Sequence, residues 1–195
     1  MSFDKHVAMV TRACNATLVN LWRIGTKLSR KLKTTLVTSL IHGKLDYCNG
    51  LMSGMTKKNL SKLQKVQNAA ARFIFGQRHR QGTTELRRIL HFLPVSERIK
   101  FKTGVMVYKC MNGLAPEYLS ELLQKRRKKQ ANLRLDSDDL LLEMVQTRYK
   151  TSERAFRVAG PRLWNSLPRK IRAAESLEMF KKDLKTYLFQ QVFEG

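Results

Sequence analysis

The segment from Lys57 to Phe75 constrains the fold more than any other part of the chain. Leu60, Leu63, Val66, Gln67, Ala70, Phe73 and Ile74 recur through it every three or four residues, with no glycine or proline to interrupt them. The spacing predicts a single amphipathic helix with one side in a core. The other side carries Lys58, Lys62 and Lys65 as a basic ridge, with Arg72 nearer the boundary. A ridge of this kind serves either as a solvated face or as a row of phosphate contacts. Ala69, Ala70 and Ala71 are small enough for a neighbouring helix or a nucleic-acid backbone to come close. The amides of Gln64, Gln67 and Asn68 suit sugar and base edges as well as they suit an adjacent helix.

The same periodicity extends to both sides of this segment. Val7, Val10, Cys14, Leu18, Leu21 and Ile24 mark a first helix, with Asp4 near its start and Gly25 at its end. Leu32, Leu36, Val37, Leu40 and Ile41 mark a second, with Ser29 as its cap and Gly43 as its stop. Asp46 and Tyr47 then suit structural hydrogen bonding, since no base stands near them to accept a proton. After the Lys57–Phe75 helix comes Gly76-Gln-Arg78-His-Arg80-Gln-Gly82, a cationic connector with the flexibility for phosphate contact. Thr83 or Thr84 opens a short helix through Leu86, Ile89 and Leu90, and Pro94 starts another through Ile99, Phe101, Val105, Tyr108 and Met111. His91, between them, reads as a buried or boundary imidazole.

Charge then interrupts the apolar pattern. Lys125, Arg126, Arg127, Lys128 and Lys129 form the densest basic run, and the next ten residues hold few apolar side chains, so 125–139 reads as a linker. A nuclear-targeting address, a phosphate-binding arm and a solvated helix end all fit the run. Leu140 to Val145 is extended in character and pairs with Arg148-Tyr-Lys150 as the one candidate β-hairpin. Ser152 caps a helix through Phe156, Ala159, Leu163 and Trp164, bent or broken at Gly160-Pro161. Ser176 caps the last helix, Leu177 to Phe193, with Phe180, Leu184, Tyr187 and Leu188 as its packing stripe.

Composition narrows the partners. There are 38 Lys and Arg against 15 Asp and Glu, and residues 1–100 hold 19 against 4. Such a surface releases condensed counterions from phosphates, which gives salt-sensitive binding with little sequence preference. Acidic lipid is disfavoured, because no basic amphipathic helix carries an aromatic-rich apolar face, and no apolar run reaches the roughly 18–20 residues of a membrane span. The start of the chain lacks the apolar run of a signal peptide, so an intracellular setting, in nucleus or cytoplasm, is expected. Cys14, Cys48 and Cys110 are odd in number and widely spaced, as buried thiols rather than disulfide partners or zinc ligands. The four histidines lack zinc-motif spacing, and no nucleophile–base pair stands out.

Five segments combine into a recognisable order: Leu63 to Phe75; His91-Phe-Leu-Pro-Val-Ser-Glu-Arg98-Ile; Tyr108-Lys-Cys-Met-Asn-Gly-Leu-Ala-Pro116-Glu-Tyr-Leu; Arg154 to Pro168 with Leu163-Trp164-Asn165-Ser-Leu-Pro168; and Phe180 to Phe189. The series resembles the C-terminal end of the reverse transcriptase encoded by LINE-type, non-LTR retrotransposons, most like the jockey and chicken-repeat clades, over nearly the whole chain. Leu45-Asp-Tyr-Cys-Asn resembles a further stretch of that family. The resemblance implies a thumb followed by a tail. It also implies that the palm, with its aromatic-Ala-Asp-Asp motif and upstream metal-binding Asp, lies before the matched region. Asp138-Asp139 sits in an acidic cluster without the apolar strands that a metal-binding palm hairpin needs on both sides.

The expected architecture is therefore mainly α: a thumb-like helical region over 1–124, the linker 125–139, and a small helical C-terminal part over 140–195 with room for one short hairpin. The expected role is non-catalytic, with no metal or cofactor. In the family the thumb helps hold the template–primer duplex, and the tail is associated with nucleic-acid engagement during target-primed reverse transcription. This implies binding of RNA or RNA–DNA duplex through Lys58, Lys62, Lys65, Arg72, Arg78, Arg80 and Lys125 to Lys129. A helical scaffold that docks on a reverse transcriptase palm and fingers is the alternative, and a decayed reading frame without function a third.

Overall fold

The computed structural model describes residues 3–47, 53–76, 82–126, 140–146 and 155–194. Among these residues the chain is helical with no β-strand, in agreement with the mainly α expectation. It packs as two compact units, the first made of 1–49 with 55–98 and the second of 50–54 with 99–195. The sequence reading instead divided the chain around the charge run at 125–139, most of which lies outside the described residues.

In the first unit, α1 (Asp4–Ile24) buries Val7, Val10, Cys14, Leu18 and Leu21, the stripe that the spacing predicts. It ends where Gly25 passes the ring of Phe73; a Cβ at Gly25 would lie 2.7 Å from that ring. Asp4 does not cap the helix, and its carboxylate instead accepts a hydrogen bond from the Asn59 amide at 2.8 Å. Ser29 does cap α2 (Arg30–Val37), its hydroxyl accepting from the Leu32 N–H. Gly43 is not a stop. The backbone stays helical through a π turn at Thr38–His42 and on into α3 (Gly43–Asp46), because Gly43 has ordinary right-handed angles and Ile41, His42 and Leu45 are buried around it.

Helix α4 (Lys57–Phe75) has the expected bounds. Thr56 caps it, and Gly76, at φ 69, turns the chain out of it in the left-handed conformation that glycine adopts without steric cost. Next come α5 (Thr83–Ile89) and α6 (Val95–Met111), whose first turn, to Arg98, counts with the first unit. His91 departs from expectation. It is exposed, and at φ 51 it forms part of the turn that ends α5, where the Phe92 N–H reaches back to the Arg87 carbonyl.

Asp46 makes the structural bonds expected of it. Arg98 grips its carboxylate in bidentate fashion, at 2.9 and 2.5 Å, with both side chains about four-fifths buried. The Leu-Asp-Tyr segment and the segment ending at Arg98 thus meet in space. Beside them His42 is 2% exposed and stands edge-on to Phe92, ring centroids 4.4 Å apart. Burial, aided by the Arg98 charge, pulls the His42 pKa down to about 3.

The second unit is organised by a stack of three rings. Tyr108 of α6 lies on Phe180 of α10 (Leu177–Phe193), and Phe180 lies on Trp164 of α8 (Phe156–Ser166), with centroids 4.5 and 5.7 Å apart. Two short helices, α7 (Glu117–Ser120) and α9 (Arg169–Arg172), complete it. Gly104 lets α6 approach α10 closely, since a Cβ there would sit 2.9 Å from Leu184. Ser176 caps α10 as expected, accepting from the Met179 N–H. Helix α8, however, runs unbroken through Gly160-Pro161. Proline forfeits one backbone bond, but Val158, Ala159, Pro161 and Trp164 are all buried, and that packing holds the helix together.

The hairpin reading is also corrected. Leu140 to Val145 forms no strand, and its observed partner is the start of the basic run, through a single antiparallel bridge between Lys125 and Leu142. Arg148 to Lys150 lies outside the described residues. On its other side the segment is held by α8. The Trp164 indole donates to the Leu140 carbonyl at 2.6 Å, and the Asn165 amide both accepts from the Leu142 N–H and donates to the Leu142 carbonyl, at 2.9 and 2.8 Å.

Two outcomes follow. Asn165→Ala leaves both backbone groups of Leu142 without their side-chain partner, and urea denaturation is expected to show a loss of about 2–3 kcal/mol. For His42, the folded pKa lies below the unfolded value of about 6.5. The unfolded chain therefore binds the extra proton, and stability is complete above pH 6.5 and lost as pH falls toward 3. Wild type should lose about 2 kcal/mol between pH 7 and pH 5 from this group, a component absent in His42→Phe.

Candidate nucleic-acid interface

The core face of α4 decides what the rest of the helix offers. Leu63, Val66, Ala70 and Phe73 are buried, and the buried set also includes Gln67, at 0% exposure. The Gln67 amide donates to the Leu93 carbonyl at 2.9 Å. Gln64 accepts from the Val95 N–H at 3.0 Å and donates to both Gln67 and Asn68 at 2.9 Å. These amides tie α4 to the turn that leads into α6, so the alternative left open by sequence resolves toward internal bonding. Ala70 and Ala71, both at 0% exposure, are packing residues as well.

The opposite side is cationic. At 100° per residue, Lys58, Lys62, Lys65 and Arg72 fall within an arc of about 80°, over roughly 21 Å of helix. Lys58 and Lys65 are exposed, and Lys62 and Arg72 half-buried. No Asp or Glu occurs between Lys57 and Phe75. Among the described residues the ion pairs are Arg88 with Glu85 and Arg98 with Asp46, so none of the four stripe cations is neutralised by a carboxylate partner.

The structure thus brings Lys58, Lys62, Lys65 and Arg72 together on the first unit. Lys125 and Arg126 are exposed and belong to the second, where their backbones take part in or flank the bridge to Leu142. Arg78, Arg80, Arg127, Lys128 and Lys129 lie outside the described residues, as do Asp138 and Asp139.

Sequence reasoning missed one cation, Arg12. It lines a shallow groove of about 560 Å³ together with Ala8, Asn15, Ala16 and Val19 of α1 and Lys62 of α4. The signal was available in the recurrence of Ala8, Arg12, Asn15 and Val19 every three or four residues, beside the buried stripe of α1. Small and polar residues on a helix face draw less notice than apolar ones.

Among the described residues no group of three or more His, Cys, Asp or Glu side chains could hold a metal ion. No described helix is long and apolar enough to cross a membrane. The Cys14 and Cys110 thiols are buried, and burial raises the pKa of both, which keeps them protonated and unreactive. What the surface offers chemically is a row of fixed positive charges. No family model, curated protein or solved structure matches the chain.

Proposed function

We propose that this chain is a non-catalytic nucleic-acid-binding module that holds RNA or RNA–DNA duplex by its phosphates, with α4 as the principal contact helix. One observation carries the reading: four cations aligned on one face of a rigid helix, with no carboxylate partner among the described residues and no acidic residue on the helix. A charge network built for stability alone would intersperse acids. Here the side chains are left for an external polyanion, and each phosphate they neutralise releases counterions. The resemblance to the thumb and tail of LINE-type reverse transcriptases implies the same partner, and it places any catalytic carboxylates outside this chain.

A second reading has its own support. Leu32 and Leu40 of the α2 run are 45% and 41% exposed, and with Leu36 they form an i, i+4, i+8 ridge. Such a ridge suits a protein surface, including a polymerase palm and fingers, and the two readings are compatible on different faces.

The test is a salt titration of duplex binding. Replacing Lys58, Lys62 and Lys65 with Gln should weaken binding and flatten the log–log salt dependence by up to about 0.9 per lost phosphate contact. The fold should persist, because exposed charges contribute little to stability. Gln at Lys125, Arg126 and Arg127 removes the same charge elsewhere. Equal losses from the two triples would leave only bulk charge and defeat the assignment to α4.

A further inference from the structure

Helices α1 and α4 lie side by side in the same direction: Asp4 meets Asn59 at their starts, and the Trp22 ring packs edge-on against Phe73, centroids 5.3 Å apart, near their ends. The groove beside this seam runs from Ala8 to Val19, about 16 Å of helix. Lys62 stands on its α4 side and Arg12 on its α1 side. Lys58 and Lys65 lie one turn to either side of Lys62, so the α4 wall presents a charge about every 5.4 Å.

The geometry points to a second wall of the nucleic-acid site: one sugar–phosphate strand lies along the α1–α4 groove, its phosphates gripped by Arg12 from one side and Lys62 from the other. This rests on the nucleic-acid reading above and extends it to α1. Three features select this occupant. The lining between the two cations is Ala8, Thr11, Asn15 and Ala16, short side chains that leave room for a backbone, with Val19 the one large apolar side chain among them. Arg12 is exposed and, among the described residues, has no carboxylate partner. Arginine's planar fork matches phosphate in bidentate fashion, and the Asn15 amide beside it both donates and accepts, as a sugar edge requires.

The experiment measures affinity of the full chain for a labelled RNA–DNA duplex at several salt concentrations. Arg12→Gln should weaken binding roughly threefold, the share of one phosphate contact, and flatten the salt dependence. Ala16→Leu changes no charge but fills the floor of the groove. It should weaken binding at least as much and, because a displaced strand loses its phosphate contacts, also flatten the salt slope although no charge has changed, and Ala8→Leu should do the same. All three sites are exposed on a helix, and circular dichroism should show unchanged helicity. Lys31→Gln, an exposed charge on α2, is the reference for bulk charge. Leucine variants that bind like wild type, or an Arg12→Gln loss no larger than that of Lys31→Gln, would overturn the groove. The α4 reading would stand in that event if the Lys58, Lys62, Lys65 triple still differed from its control. Displacement of the duplex by polyglutamate as readily as by unlabelled duplex of equal charge would also overturn it.

Discussion

Burying an amide costs several kcal/mol unless its donor and acceptor are both matched. Gln67 meets that condition with no accessible surface at all, through the Leu93 carbonyl on one side and Gln64 on the other. The bonds are directional, so they fix the rotation of α4 about its axis more tightly than apolar packing does. Any turn of the helix would strand Gln67 among Leu63, Val66 and Ala70. The cationic stripe inherits its outward aim from this buried network. The polar centre and the basic ridge of α4 are thus two consequences of one orientation.

The parts of the fold that were legible from sequence are those where local chemistry and tertiary packing agree. Helix α4 has an uninterrupted apolar stripe from which its bounds follow, and Thr56 and Gly76 close its two ends in the structure. Ser29 and Ser176 are caps for the same reason. Where the two levels conflict, packing wins. Gly43 permits a helix to end but does not force it, and buried Ile41, His42 and Leu45 carry the helix past it. Pro161 forfeits a backbone bond inside α8 and is retained through burial. His91 departs because its place is set by a left-handed turn, where histidine is among the few non-glycine side chains enriched, while its apolar neighbours suggested a core position. Leu140 to Val145 carried a strand's composition, but the side chains of Trp164 and Asn165 supply the bonds that a sheet partner would have made.

The candidate interface was legible to a different degree. Cations on a periodic helix are placed by period alone, which is why Lys58, Lys62 and Lys65 share a face as expected, while Arg72, read as nearer the boundary, falls within the same arc. Amides have no such signature, because the same donor and acceptor serve a base edge or a buried turn. The tertiary fold distinguishes the two, and it turns the amides of Gln64 and Gln67 inward onto Val95 and Leu93. Arg12 was overlooked because small and polar neighbours draw little notice on a helix face, and what that face offers emerges only once α1 and α4 lie side by side.

The paired hold on Leu140–Leu142 has a bearing on how this chain can change over time. The bridge to Lys125 and the Trp164–Asn165 grip fasten both ends of the charged run to the second unit. Closing a connection costs entropy that rises only logarithmically with its length, about 0.6 kcal/mol for each doubling. Chain closure alone therefore sets little limit on how many residues separate Arg126 from Leu140, and a change of length between these two anchored points is resisted only weakly by entropy.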